Sequence, residues 1–263
     1  MGMTVQPGTG RDTQRTPAAV VWHDLECGRY RADMALWLEL AGQARAGSLP
    51  APILDVGAGT GRVALALAED GHAVTALDSE QVLLDELSRR ARLASLEVSC
   101  VRGDARELKL AEHGYALCAI PMQTIQLLGG PAGRTQFLRG AHAHLREGAL
   151  LACAIVTELE SFDVREGVTG PEPEQATVGD AHYSSQAKSV QLRDECIRIE
   201  RLRRIVWEDG RPPSTEIDVI ELDRLTAREL QGEGRTVGLG VHDVREIPPT
   251  DEHVGSEVVI FRA

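Results

Sequence analysis

The sequence predicts an α/β fold in which a doubly wound parallel sheet carries a small antiparallel addition. Between residues 52 and 156, short apolar runs alternate with helical patterns. Such alternation is typical of a parallel sheet covered by helices on both faces. Between residues 188 and 225, the chain changes to strand-like runs joined by short turns, which favours antiparallel strands.

The individual elements follow from hydrophobic periodicity and from the residues that end helices and strands. A helix over Tyr30 to Ala44 precedes the first strand, and three further helices lie between later strands. The five predicted parallel strands are Pro52–Val56, His72–Leu77, Leu96–Val101, Tyr115–Ile120 and Ala149–Val156. A capped helix over Thr226 to Gly234 and a final pair of strands, Val241–Ile247 and Ser256–Phe261, end the predicted pattern.

The predicted organisation has three parts. Residues 1–20 are polar and are expected to form a mobile tail. Residues 21–156 and 226–263 form the core. Residues 157–225 form an antiparallel lid, whose first part, up to about residue 187, is rich in glycine and proline and is interpreted as a loop.

One of the predicted lid strands shows an irregular alternation. Ile197 and Ile199 stand at odd-numbered positions, on one face of the predicted strand. Leu202 and Val206 stand at even-numbered positions, on the other face. This change of phase predicts a β-bulge near residues 200 and 201.

Length and composition exclude several classes of function. With 263 residues, the chain can bury one substantial core and a small added lobe. A net charge of −12 and an aromatic content of 3% disfavour a nucleic-acid partner, which needs a basic face or a stacking platform. No apolar stretch approaches the roughly 20 residues that span a bilayer, and the first residues lack a signal-peptide core. We therefore expect no membrane partner.

The cysteines and the arginines give two further expectations. Five scattered cysteines without a C-x-x-C pair favour a reducing cytoplasm and disfavour a disulfide framework or a zinc site, so no metal is expected. The dense basic run comprises Arg193, Arg198, Arg201, Arg203 and Arg204. A solvated strand face is the simpler interpretation of this run. A basic groove is the alternative.

The run from Pro52 to Arg62 carries the main functional signal. Asp55 stands near the end of a buried strand, and glycines follow at alternate positions before a helical pattern begins. Glycines let the backbone approach a ligand closely, and the carboxyl end of such a strand is where open α/β sheets bind nucleotides. A dinucleotide fingerprint needs glycine where Arg62 stands, three residues after Gly59, and the ending of a P-loop is missing.

The segment Asp-Val-Gly-Ala-Gly-Thr-Gly-Arg, residues 55–62, resembles motif I of class I S-adenosylmethionine-dependent methyltransferases. The order of the predicted elements is similar to that family as well. The resemblance implies a Rossmann-like seven-stranded sheet, with S-adenosylmethionine as cofactor and S-adenosylhomocysteine as product. Many small-molecule members insert antiparallel strands after the fifth strand, where they cover the substrate.

The resemblance also implies roles for particular residues. Asp78, after the second strand, matches the acid that binds the ribose; an acid at a helix start is the alternative. Asp104 matches the adenine-binding acid, with a plain turn as the alternative. Tyr30 matches an aromatic residue that caps the methionine carboxylate, with core packing equally open. Asp55 is expected to orient the glycine loop and the methionine amine. The predicted cofactor-binding residues are Tyr30, Asp55, Gly57, Ala58, Gly59, Gly61, Asp78, Ser79, Asp104, Ala105 and Ile120.

The segment after the fourth strand, residues 119–126, should lie beside the reactive methyl group. It does not match the Asn-Pro-Pro-Tyr pattern of enzymes that methylate nucleobases or glutamine, and it is closer to the loop of small-molecule N- and O-methyltransferases. Gln123, Gln126 and Tyr183 are candidate substrate contacts, with packing or solvent exposure equally open for the two glutamines. His182 and His253 are the preferred candidate bases, ahead of two further histidines, His23 and His242.

The resulting hypothesis is a cytoplasmic methyltransferase acting on nitrogen or oxygen of a small metabolite. Two alternatives stay open. One is a protein that binds S-adenosylmethionine for sensing or for another reaction, and the other is a protein or RNA methyltransferase. The lid could instead be a structural or dimer-forming flap, so a homodimer is included among the expected assemblies.

Overall fold

The computed structural model describes residues 16–44, 52–164, 170–250 and 253–263. In chain order its elements are α1 (Ala18–Glu26), α2 (Met34–Ala44), β1 (Ile53–Val56), α3 (Arg62–Glu69), β2 (Val74–Asp78), α4 (Gln81–Leu93), β3 (Val98–Arg102), β4 (Tyr115–Ile120), α5 (Gly130–His144), β5 (Leu145–Ile155), β6 (Phe162–Asp163), β7 (Glu174–Val178), β8 (Ala181–Leu192), β9 (Cys196–Trp207), β10 (Ser214–Asp223), α6 (Ala227–Thr236), β11 (Gly240–Ile247) and β12 (Ser256–Arg262). Among these helices, none has both the length and the apolar character needed to cross a bilayer.

The larger sheet has seven strands in the order β11-β12-β5-β4-β1-β2-β3. Strands β1 to β5 are parallel, β12 runs antiparallel to β5, and β11 runs antiparallel to β12. The predicted doubly wound α/β fold is therefore confirmed. The strand order reverses at β1 and β4, and this reversal opens a crevice at their carboxyl ends.

Apolar layers cover both faces of this sheet, which is why its central strands are apolar on both sides. Trp37 of α2 lies fully buried in the layer that also contains Leu67 of α3. On the opposite face, Phe137 of α5 is buried in one cluster with Phe261 of β12. Together the two layers hold the carboxyl ends of the strands in a fixed arrangement.

Helix α1 was not predicted. It begins at Ala18, inside the segment expected to be a tail, whereas residues 1–15 lie outside the described residues. Val21, Trp22 and Leu25 of α1 form an apolar cluster with Ala181 and Tyr183 of the lid. Helix α1 therefore packs against the lid, a contact between segments more than 150 residues apart that local periodicity does not reveal.

The lid forms a separate antiparallel sheet in the order β10-β9-β8-β6, with β7 paired to β8. The expectation of a loop up to residue 187 was wrong, because this stretch contains β6, β7 and the first half of β8. Its glycines and prolines suggested a loop, but β7 and β8 pair across a two-residue turn at Gly179 and Asp180. Such a Gly-Asp turn is a hairpin signal.

The expected bulge lies on the neighbouring strand. The register shifts between Ala187 and Ser189 of β8, opposite Arg201 and Glu200 of β9. Strand β9 itself keeps one alternation. The side chains that face the core include Ile199, Arg201 and Arg203. Because two of these inner positions carry arginine, the apolar pattern in the sequence changes phase although the strand does not.

Helix α6 begins with a capping box. Thr226 Oγ1 accepts a hydrogen bond from Glu229 N at 3.3 Å, and Glu229 Oε2 accepts one from Thr226 N at 2.9 Å. Because both contacts satisfy backbone donors at the helix start, Thr226→Ala should lower the free energy of unfolding by about 1 kcal/mol in urea denaturation. Thr226→Ser is the matched control and should keep most of this stability. Equal stability of the alanine variant and the native protein would show that the box contributes nothing.

Candidate functional site

A cavity of about 490 Å³ lies at the carboxyl ends of the central parallel strands. The predicted cofactor-binding residues that line it are Asp55, Gly57, Ala58, Asp78, Ser79, Asp104 and Ala105. Gly59, Gly61, Ile120 and Tyr30 do not line this cavity. The acids at or just after the carboxyl ends of β1, β2 and β3 are thus brought together around one space.

The glycine loop needs glycine for two reasons. Gly57 and Gly59 have φ angles of +72° and +54°, which side-chain-bearing residues rarely adopt. A Cβ atom on Gly57 would lie 2.5 Å from Thr124 Oγ1, and one on Gly59 would collide with the ring of His23. The loop therefore lets two neighbouring segments approach the floor of the cavity.

Asp55 is the most unusual ionisable group of the site. Its side chain is buried, and neither carboxylate oxygen has a hydrogen-bond partner among the described residues. Burial raises the pKa of this carboxyl to about 7, although the charge of nearby Arg62 and the backbone amide of Ala64 oppose the change. An unpartnered buried carboxylate at a cavity wall is suited to a cationic group such as an ammonium.

Asp78 holds the glycine loop. Its Oδ2 accepts a hydrogen bond from Gly59 N at 2.8 Å, and its Oδ1 accepts one from Glu80 N at 2.9 Å, at the start of α4. The helix-start role considered from the sequence is therefore present. Each carboxylate oxygen has a second lone pair, so Asp78 could also accept from a ribose hydroxyl.

Asp104 is engaged with its own turn. It accepts hydrogen bonds from Arg106 N at 2.9 Å and from the Arg106 guanidinium, whose Nη2 lies 2.6 Å away. The hydrogen bonds from the Arg106 side chain and backbone lower the pKa of this carboxyl. Asp104 therefore stays ionised and lines the cavity as a hydrogen-bond acceptor, next to the largely buried Ala105.

A second cavity of about 230 Å³ adjoins the first. The two share the lining residues Glu26, Met122, Gln123, Ile199, Arg201 and Leu222. Tyr30 and His253 line only this smaller cavity, which we call the side chamber, and their ring centroids are 4.9 Å apart. The lid residues Ile199, Arg201 and Leu222 belong to both spaces, so the lid covers the junction.

Met122 marks that junction. It is one of two residues other than glycine with a positive φ angle within the described residues, at 53°, and it directly follows Pro121 at the end of β4. A side-chain-bearing residue in this conformation is held there by its surroundings, and such strain often accompanies function. Gln123, a predicted substrate contact, is the next residue and also lines both spaces.

Three predicted catalytic or substrate-contacting residues, His182, Tyr183 and Gln126, line neither cavity. His182 lies on strand β8 and not in a loop; it is exposed, and its Nδ1 is 2.9 Å from Thr177 Oγ1. Tyr183, on the opposite face of β8, packs against Trp22 of α1 with ring centroids 5.0 Å apart. Because successive side chains of a strand point to opposite faces, His182 faces outward and Tyr183 is taken up in core packing.

Gln126 has a structural contact in place of the predicted substrate contact. Its side chain is fully buried, and its Nε2 donates to the backbone oxygens of Val156 and Asp223 at 3.0 and 2.9 Å. Its Oε1 accepts from Val156 N at 2.8 Å. The amide therefore joins the ends of β5 and β10, and these three contacts leave it little capacity for a ligand.

An ion network above the cavities was missed in the sequence. Glu26 accepts hydrogen bonds from Arg203 Nε and Nη2 at 2.8 and 2.6 Å and from Ser185 Oγ at 2.7 Å. Arg201 forms an ion pair with Glu174. Hydrogen bonds from Arg203 and Ser185 outweigh the burial of Glu26 and lower the pKa of its carboxyl. Two arginines expected on a solvated face thus point inward and meet acids.

Residues 53–148 match the model of the methyltransferase domain family. This segment, 96 of the 263 residues, is thus similar to a methyltransferase domain. A curated relative, the cypemycin N-terminal methyltransferase of a Streptomyces species, is 34% identical over 110 residues, or 41% of this chain. The match spans 44% of that enzyme's length, less than half of it.

Solved methyltransferase structures share the fold of this protein over nearly the whole chain. The sugar N-methyltransferase KedS8 from Streptoalloteichus matches with a TM-score of 0.68 at 15% identity, with 100% of both chains covered. CalS10 from Micromonospora echinaspora, an amino pentose methyltransferase solved with S-adenosylmethionine bound, matches with a TM-score of 0.64 at 19% identity, over 92% of this chain and 97% of its own. At these identities the likeness establishes the fold.

The residues of the larger cavity fit S-adenosylmethionine, the cofactor of this domain family. The unpartnered Asp55 carboxylate suits its ammonium group, Asp78 suits the ribose hydroxyls, and Asp104 suits the adenine amino group. The glycines of the loop leave room for His23 and Thr124, which both line the cavity. Three carboxylate acceptors placed in this way suit a nucleoside that carries a charged amino-acid tail.

Proposed function

We propose that the protein is an S-adenosylmethionine-dependent methyltransferase that transfers a methyl group to nitrogen or oxygen of a small metabolite. The observation that carries the proposal is the pair of joined cavities, of about 490 and 230 Å³, beneath one lid. The larger matches the cofactor in chemistry, and the smaller opens onto it at Met122. A chamber of this size suits a small acceptor better than a macromolecule.

The protein's own contribution is positioning. S-adenosylmethionine, when bound, supplies a methyl group on an already activated sulfonium. Asp55, Asp78 and Asp104 would hold the cofactor, while the lid residues Ile199 and Leu222 exclude water from the junction. His253, in the side chamber, is the candidate acceptor for the proton that an amine or hydroxyl loses.

The arrangement of charges favours a small acceptor over a protein or RNA. Arg201 and Arg203, which an open basic groove would need, are paired with Glu174, Glu26 and Asp218. The relatives offer both possibilities, since KedS8 acts on a sugar and the Streptomyces relative on the N-terminus of cypemycin. Because Arg201 and Arg203 are paired with acids of the protein itself, they support a small-molecule acceptor such as a sugar.

A turnover assay tests the proposal. The protein would be incubated with methyl-labelled S-adenosylmethionine and a panel of small amines, amino sugars and alcohols, and S-adenosylhomocysteine formation would be followed. We expect acceptor-dependent formation of S-adenosylhomocysteine with at least one small compound. Tight cofactor binding without turnover on any acceptor would favour a sensor, and transfer only to protein or RNA would favour a macromolecular substrate.

Replacing the cofactor acids tests the assigned cavity. Asp78→Ala and Asp104→Ala should each weaken S-adenosylhomocysteine binding by at least about 1 kcal/mol, the scale of a hydrogen bond to a charged group. Isothermal titration calorimetry gives this directly. Asp243→Ala is a control, since this exposed carboxylate lies on β11 and lines neither cavity. Native affinity in both acid variants would remove the cavity assignment.

A further inference from the structure

His23 of α1 lies against the floor of the larger cavity. It lines that cavity but not the side chamber. Its ring occupies the space that a side chain on Gly59 would take, so the glycine is what admits it. This position would place His23 beside a bound cofactor and away from the side chamber.

The hydrogen bonds around His23 determine which ring nitrogen carries the proton. Asp24 is ion-paired with Arg90, and its Oδ1 accepts a hydrogen bond from Thr60 Oγ1 at 2.7 Å. A hydroxyl has one proton, and Thr60 gives it to this carboxylate. Toward His23 Nδ1, 3.2 Å away, Thr60 Oγ1 can therefore act only as acceptor. The proton of the neutral ring must then lie on Nδ1.

The other nitrogen, Nε2, is consequently an unprotonated acceptor. Burial lowers the pKa of His23; the charge of Arg90 adds to this effect, while the charges of Asp24, Glu26 and Asp78 oppose it. The ring therefore stays neutral around pH 7. Of its two nitrogens, Nε2 is the one directed to Gly59 of the glycine loop.

The neighbour of this acceptor is Asp78. Its carboxylate accepts from Gly59 N, so His23 and Asp78 flank the same glycine. Asp78 already accepts two backbone hydrogen bonds, which leaves a second acceptor useful to a ligand with two adjacent hydroxyls. We propose that His23 is a cofactor-binding residue whose Nε2 accepts a hydrogen bond from a ribose hydroxyl, in a tautomer set by Thr60 and Asp24. This inference rests on the proposed cofactor.

A ligand-variant cycle tests the contact. S-adenosylhomocysteine and its 2′,3′-dideoxy analogue would be titrated by calorimetry into the native protein, His23→Phe and Thr60→Val. We expect His23→Phe to weaken binding of the parent ligand about tenfold, the scale of one hydrogen bond, and Thr60→Val to weaken it by less. The dideoxy penalty should shrink at least about threefold in His23→Phe, because that variant has already lost the contact.

The outcomes separate this inference from the proposed function. Failure of the native protein to bind S-adenosylhomocysteine would contradict the proposed function. Native binding with an unchanged affinity or an undiminished dideoxy penalty in His23→Phe would overturn the role of His23 alone. Circular dichroism checks that the variants fold, and His23→Gln provides a second variant. Nitrogen NMR of histidine-labelled native protein should show His23 protonated on Nδ1; protonation on Nε2 would also overturn the proposal.

Discussion

Asp55→Asn should raise the thermal stability of the ligand-free protein and weaken its affinity for S-adenosylhomocysteine about 100-fold. The native carboxylate is buried without a hydrogen-bond partner among the described residues, so ionising it costs free energy in the folded state. The same charge would pair with the ligand's ammonium, and losing such a buried pair costs about 3 kcal/mol. Differential scanning calorimetry and isothermal titration measure the two effects.

The stability gain should depend on pH in a defined direction. The pKa of Asp55 is raised from 3.8 to about 7 by burial, so the folded state binds a proton that the unfolded state releases between these values. The destabilisation of the native protein relative to Asp55→Asn is therefore full above about pH 7. It shrinks as the pH falls through that value toward 3.8 and is absent below it.

Asp33→Asn is the matched control. Asp33 is equally buried, but it receives hydrogen bonds from Arg62 Nη1 and Nη2 at 2.6 and 2.8 Å and from Trp37 Nε1 at 2.8 Å. Removing its charge should destabilise the protein, because Arg62 loses its partner. If both asparagine variants lowered the melting temperature alike, Asp55 would not be the strained carboxylate described here.

Glu26→Gln should lower the free energy of unfolding by about 3 kcal/mol, because it removes the charge that Arg203 and Arg201 face under the lid. The pKa of Glu26 is lowered in the folded state, so its stabilisation is present above the ordinary value of 4.5 and is lost as the pH falls through the folded value. Urea denaturation at pH 7 and at acid pH measures the effect.

Glu216→Gln provides the control for that substitution. Glu216 is exposed and lies 3.9 Å from Arg203 Nη1, so its loss should change stability by no more than about 0.5 kcal/mol. Hydrogen exchange should show faster opening of β8 to β10 in Glu26→Gln alone. Equal effects of the two glutamine variants would mean that the Glu26 contacts add nothing beyond a surface ion pair.

The parallel half of the molecule could be predicted because each of its strands is a short apolar run closed by a turn or cap. The acids of the larger cavity followed from the same pattern, since Asp55, Asp78 and Asp104 stand at or just after strand ends. A site residue can be predicted from the sequence when its place is set by its distance along the chain from a buried strand.

The lid and α1 were harder to predict for a physical reason. Arg201 and Arg203 lie on the inner face of β9, where an apolar pattern would be expected, and their partner Glu26 is about 175 residues earlier. His182 and Tyr183 illustrate the same limit, because only the pairing of β8 decides which of the two faces inward. Polar groups that pair between segments distant in the chain produce no periodic pattern in the local sequence, so their burial cannot be predicted from it.

The most direct test of the central claim is calorimetric titration of the purified protein with S-adenosylhomocysteine and, separately, with NAD. We expect saturable one-site binding of S-adenosylhomocysteine, weakened in Asp78→Ala, and no binding of NAD. The glycine loop lacks the spacing of a dinucleotide-binding fingerprint. The buried Asp55 carboxylate at its base has no hydrogen-bond partner among the described residues and is suited to the ligand's ammonium group. Tight binding of NAD without binding of S-adenosylhomocysteine would show that the larger cavity is not an S-adenosylmethionine site.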